Sequence, residues 1–131
     1  MSDPVNAVLT AIHARLTADA DLQGLVGASI FDRRPEARIL PCLVTGAVET
    51  RQIGADGGGV SEILLTYEAW ASGRRAAEAI AAALRAALSQ ADLSLGARGP
   101  VSLDHRRTSS RRAAKSAYFL AETQFRVVVE D

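Results

Sequence analysis

Two stretches of the chain alternate apolar and polar residues one by one, and this constrains the fold more than any other feature. Between Val60 and Ser72, Ile63, Leu65, Tyr67 and Ala69 share one side, and Glu62, Thr66 and Glu68 share the other. Between Tyr118 and Val129, Phe119, Ala121, Phe125, Val127 and Val129 lie opposite Glu122, Gln124 and Arg126. A period of two is that of an extended strand, whose successive side chains point to opposite faces. Each strand therefore carries an apolar face that something else in the chain must cover.

The partners of these strands are local. Pro41 opens a further strand, Cys42 to Ile53, and Gly54-Ala55-Asp56-Gly57-Gly58-Gly59 separates it from Val60. So many glycines are too mobile for regular structure, so this run reads as the tip of a long hairpin. Val101, Leu103 and His105 alternate with Ser102, Asp104 and Arg106, which predicts a strand there. The polar stretch Arg107 to Ser116 then reads as a second hairpin loop. Ser29 to Arg33 is a short strand ended by Pro35, and Gly96 and Gly99-Pro100 mark turns.

Two segments supply the cover. Asp3-Pro4 is a helix start, and Val5, Val8, Leu9, Ile12 and Leu16 follow as one stripe, with His13 and Arg15 off it. Gly73 to Ser89 is the clearest helix, with Ala77, Ile80, Ala83, Leu84, Ala87 and Leu88 inward and Arg74 and Glu78 as an exposed pair. Asp19 to Val26, stopped by Gly27, is a turn or a short helical piece. The expectation is an α+β fold: a mainly antiparallel β-sheet covered on one face by two α-helices, as a single domain over residues 1–131.

Composition narrows the function classes. Fifteen basic residues balance fifteen acidic ones, which argues against non-specific nucleic-acid binding by the protein as a whole. Cys42 is the only cysteine, so an internal disulfide and a cysteine-ligated zinc site are both excluded. Met1-Ser2-Asp3-Pro4 lacks the positive-then-apolar pattern of a secretory leader, and no apolar run approaches the roughly 20 residues of a membrane span. Synthesis in a reducing cytoplasm, with no membrane partner, is the expectation.

Catalytic readings find little support. Ser102 and Asp104 lie near His105, but Asp104 and His105 are strand neighbours and point apart. The glycine run has no Lys-Ser/Thr behind it and leads into a strand, so it makes no phosphate loop. Cys42 and Trp70 read as core. Arg106, Arg107, Arg111, Arg112 and Lys115 form a basic cluster with no acid between Asp104 and Glu122. It reads as a solvated loop, as a surface for an acidic protein partner, or as a DNA contact, though no aromatic within it could stack a base. This profile suits a binding or assembly module.

A set of short marks adds a resemblance. Leu22-x-x-Leu25-Val26-Gly27 is followed by Ile30-Phe31-Asp32, by Pro35, by Pro41 before Leu43-Val44, and by Trp70-Ala71-Ser72 directly before an Ala-rich helix. In this order and spacing, over nearly the whole chain, they resemble the tail-terminator, or tail-completion, proteins of long-tailed phages, prophages and gene-transfer agents. Cys42 stands where that family often has an aromatic.

The resemblance implies no catalysis and no cofactor. It implies a structural virion-type protein forming a hexameric ring of identical subunits at the head-proximal end of a tail tube. The ring would end tube polymerisation and join the tail to the head connector, with DNA passing through its lumen without specific binding. Its partners would be itself, the tail tube protein and a head–tail connector or stopper protein. Its place would be the bacterial cytoplasm during assembly, then the neck or tail of a phage-like particle. A head-closure or connector protein of the same joint is the alternative, followed by a small DNA-binding module using the Arg106 to Lys115 segment. The elements expected to meet the tube or a neighbouring subunit are Gly54, Asp56, Gly57, Gly58 and Gly59, and Arg106, Arg107, Arg111, Arg112 and Lys115.

Overall fold

A computed structural model of the protein describes residues 4–33, 39–54, 59–89 and 101–130. The elements run α1 (Pro4–Thr17), α2 (Ala20–Val26), β1 (Ile30–Phe31), β2 (Cys42–Gln52), β3 (Val60–Ala71), α3 (Arg74–Ser89), β4 (Val101–Arg112) and β5 (Phe119–Glu130). Among the described residues the strands form one sheet in the order β1-β2-β3-β5-β4. Every pairing is antiparallel except the two-residue contact of β1 with β2. The α+β class and the helix-covered sheet are as expected.

The centre of the sheet is the β3–β5 pair. It runs in unbroken register from Val60 opposite Glu130 to Ala71 opposite Phe119. That register places Ile63 against Val127 and Leu65 against Phe125, so the apolar sides of both strands merge into one surface. α1 sets Val8, Ile12 and Leu16 on it, and α3 sets Ala77, Ile80, Leu84 and Leu88. The rings of Tyr67 and Phe125 meet edge to face at 6.3 Å.

The Asp19–Val26 segment is a helix and contributes to the same core through Leu22 and Val26. Asp19 caps it, its carboxylate accepting from the Leu22 N–H at 3.0 Å. Gly27, at φ +60, ends it, donating to the Gln23 carbonyl. Arg15, off the apolar stripe of α1, donates through Nε to the Ala87 carbonyl in the last turn of α3 at 3.2 Å and so ties the helices together. Arg74 lies over the Phe119 ring, 5.4 Å from its centre.

Several boundaries differ from the sequence reading. The segment Arg107 to Arg112 is strand and not loop: β4 continues to Arg112, and only Ala113 to Tyr118 turns. The cause is non-local, because β5 offers a full-length partner and a polar sequence at a sheet edge can pair with it while its side chains stay wet. The short strand is only Ile30–Phe31 and pairs parallel. Asp3, Pro35, Gly96, Gly99 and Pro100 lie outside the described residues.

Strand β2 shifts register between Thr45 and Val48. Gly46 sits at this irregularity, where a Cβ would come within 3.1 Å of the Thr66 carbonyl oxygen.

Phe125 is fully buried at the meeting point of β5, β3 and the helices. Phe125→Ala is expected to remove about 3–5 kcal/mol of stability, measured by urea unfolding. Thr50→Ala, on the exposed far half of β2, is expected to change it by less than about 0.5 kcal/mol.

Candidate assembly interface

The helices cover one face of the sheet and leave the other open. Glu62, Leu64, Thr66 and Glu68 of β3 lie on the open face, with Glu122, Gln124 and Arg126 of β5 beside them. From β4 come Asp104, opposite Arg126, and Arg107, Ser109 and Arg111, opposite Gln124, Glu122 and Leu120. This surface is polar, and it carries charges of both signs.

Glu62 organises its centre. One carboxylate oxygen accepts from Arg51 Nε at 2.6 Å, and the other accepts from Arg126 Nε. The Glu62 side chain is only 5% exposed although among the described residues no helix lies over this face, because the two arginines fold across it. The Arg126 hydrogen bond, then that of Arg51, holds its carboxyl below the ordinary glutamate range. Further along the face, Arg111 donates to Glu122. Arg106 lines a hollow of about 220 Å³ with Glu49, Arg51, Glu62 and Leu64.

At one end the open face becomes apolar. Cys42, Val44, Trp70 and Leu120 are buried there, and Phe31, Leu40, Ala113 and Tyr118 pack around them. Trp70 Nε1 donates to Glu68 Oε1 at 3.1 Å. Cys42 and Trp70 are thus core residues, of a second, smaller cluster on the face opposite the helices.

The expected partner-contacting residues divide between the two ends and one edge. Gly54 and Gly59 flank the β2–β3 hairpin, while Asp56, Gly57 and Gly58 lie outside the described residues. Lys115, at φ +55, sits in the β4–β5 turn, which the Ala113 N–H closes onto the Tyr118 carbonyl at 2.8 Å. The register places these two hairpins at opposite ends of the sheet. Arg106, Arg107, Arg111 and Arg112 come together along the edge strand β4. Arg112 faces the helix side, opposite Phe119, whereas Arg107 and Arg111 lie on the open face.

His105 serves the helix side. Its Nε2 lies 2.8 Å from Thr108 Oγ1, which also accepts from Arg85 Nη1 of α3 at 3.0 Å and donates to the buried Thr123. Its ring meets Phe125 edge to face at 5.8 Å. Asp104 is on the opposite face, so the two make no catalytic pair. Among the described residues no group of three or more His, Cys, Asp or Glu side chains could hold a metal ion, and no helix is long and apolar enough to cross a membrane.

The Glu62 cluster escaped the sequence reading in part for want of register. Arg51 opposite Glu62 follows from folding the hairpin evenly about the glycine run. Arg126 needed the long-range pairing of Leu64 with Arg126.

Fold and surface together describe a small α+β protein with a helix-backed sheet and a polar open face. The family model of tail completion protein gp17 matches residues 10–130, and the chain belongs to that family. The chain is also similar to one in the virion of a native gene transfer agent particle, at 27% identity, with a TM-score of 0.87 and all of both chains covered. No curated protein matches. The family is one of structural tail proteins, and tail completion is the role it gives this chain.

Glu62 yields a pH prediction. Its carboxyl is lowered in the folded protein, so its contribution to stability is complete above the ordinary glutamate range and is lost as pH falls through the lowered value. Glu62→Gln is expected to be less stable than the parent at neutral pH. The gap in urea midpoint should then narrow as the pH falls below the ordinary glutamate range.

Proposed function

We propose that the protein closes the head-proximal end of a tail tube as a ring of identical subunits, stops tube polymerisation there and joins the tail to the head connector. The observation that carries this reading is the family match over residues 10–130, supported by full-length similarity to a chain of a gene-transfer-agent virion. Residues 1–131 act as one domain, and six copies make the ring. The tube protein meets one side and the connector or stopper protein the other. Assembly takes place in the bacterial cytoplasm, and the finished protein resides in the neck or tail of the particle.

The disposition of charge fits such a role. Arg51 and Arg126 are engaged by Glu62, and Arg111 by Glu122. These three arginines are already engaged and so hold phosphate weakly, because salt-sensitive DNA attachment needs cations free to neutralise phosphates. The two hairpins stand at opposite ends of the sheet, one flanked by Gly54 and Gly59 and the other holding Lys115, so that one meets the tube and the other the connector.

Two experiments test the reading. Particles from cells lacking the gene, scored by electron microscopy, are expected to be overlong tubes without heads. Tails of normal length beside separate filled heads would move the role to the connector, and normal particles would remove the structural role. Replacing Arg106, Arg107, Arg111 and Arg112 together by alanine is expected to leave circular dichroism and thermal unfolding nearly unchanged, since exposed ion pairs stabilise little. The yield of complete particles should fall, and an unchanged yield would take these residues out of the interface.

A further inference from the structure

We infer that the sheet itself is the joint between copies of this chain: the outer edge of β4 in one copy pairs antiparallel with the outer edge of β2 in the next. The inference rests on the ring proposed above and adds which strands close it.

Both edges are open. Among the described residues β4 pairs only with β5, so its outer row of backbone donors and acceptors is unpaired from Val101 to Arg112. β1 covers β2 only at Leu43 and Val44, which leaves the outer edge of residues 45–52 uncovered. A long unpaired edge is a template for another strand. Natural sheets shorten, cover, charge or bulge such edges; β4 carries charges and one bulge, and among the described residues no strand covers it or residues 45–52 of β2.

The directions agree. β2 is antiparallel to β3, β3 to β5 and β5 to β4, so β4 runs antiparallel to β2. Rotating a copy about an axis along the strands keeps that relation. β4 of the next copy then meets β2 with antiparallel polarity, and the contact is head-to-tail, the kind that closes rings. Pairing β4 with β4 would stop at two copies and leave the β2 edge open.

One register also matches charge. With Arg51 opposite Asp104 of the next copy, counting two residues along each strand brings Glu49 to its Arg106, the residue at the β4 register shift between His105 and Arg107, so both facing pairs are of opposite charge. All four residues lie on the open face. Arg51 and Glu49 oppose Glu62 and Leu64, Asp104 opposes Arg126, and Arg106 lines the hollow beside Glu62 and Leu64. The Arg51 side chain is 72% exposed and gives Glu62 its Nε, so its outer edge faces the neighbour. The Glu62 cluster would then continue across the joint as Asp104–Arg51–Glu62–Arg126.

Disulfide trapping in trans tests this, because Arg106 already lines a hollow with Glu49 of its own chain. Particles are assembled in cells producing both Glu49→Cys and Arg106→Cys chains, and are mildly oxidised; the native Cys42 is buried. The expected result is a dimer linked between positions 49 and 106, identified by mass spectrometry and absent from particles built with either variant alone. Arg106→Cys homodimers would put β4 against β4 and overturn the inference. A ring visible in the same particles without the 49–106 link would overturn the edge joint and leave the ring reading standing. Absence of any ring would overturn both. Should the variants not assemble, amide exchange on the unmodified protein decides. Residues 45–52 and 102–112 are expected to exchange more slowly in particles than in the free chain, and equal exchange overturns the inference.

Discussion

The twelve-residue pairing of β3 with β5 is the constraint on which the rest depends. These strands are far apart in sequence, and only their register decides which residues share a face. In the observed register Ile63, Leu65, Phe125 and Val127 form a continuous apolar surface, and α1 and α3 have one place to bury their stripes. A slip of one residue on either strand would turn that strand's apolar set to the open face and bring Glu62 or Glu122 against the helices. The α3 crossover also follows from this pair. β4 returns parallel to β3 on the far side of β5, so α3 must span the sheet, and it does so on the apolar face.

The open face raises a different question, since a buried carboxylate there needs an explanation. Glu62 is desolvated by its own partners rather than by a packed layer. Desolvation alone would raise its carboxyl, but two arginine hydrogen bonds outweigh it and the net direction is down. Removing the acid leaves two arginines facing each other, and because both reach solvent, water screens part of their repulsion. The cluster links β2, β3 and β5 through side chains on a face that has no helix to hold it. It thus secures the part of β2 that β1 does not reach.

Much of this was legible in the sequence, and the exceptions share one cause. The alternation of Val60–Ser72 and Tyr118–Val129 gave the two central strands and their inward residues, because a period of two is local information. The α3 stripe from Ala77 to Leu88 was equally plain. Asp19–Val26 was ambiguous because seven residues are too short for periodicity to decide; the Asp19 cap and Gly27 stop make it a helix. The segment Arg107–Arg112 was misread because its residues carry no strand preference of their own. It is a strand because β5 is there to pair with it, and a partner that distant in space leaves no mark in a local window. The end-to-end separation of the two hairpins was hidden for the same reason.

That correction changes what the basic residues can do. In a loop, Arg106, Arg107, Arg111, Arg112 and Lys115 would be free to converge on one phosphate or one acidic patch. On a strand their directions are fixed: Arg107 and Arg111 face one way, Arg112 the other, and Lys115 lies past the end. Arg111 is also engaged by Glu122, and Asp104 stands two residues before Arg106. The summed charge of the segment therefore overstates the field it presents on either face. What a strand edge offers instead is a row of backbone hydrogen bonds, with charges at set intervals that select a partner and a register. That is the chemistry of protein–protein joining rather than of polyanion capture, and it suits a family of tail completion proteins better than it suits a DNA-binding module.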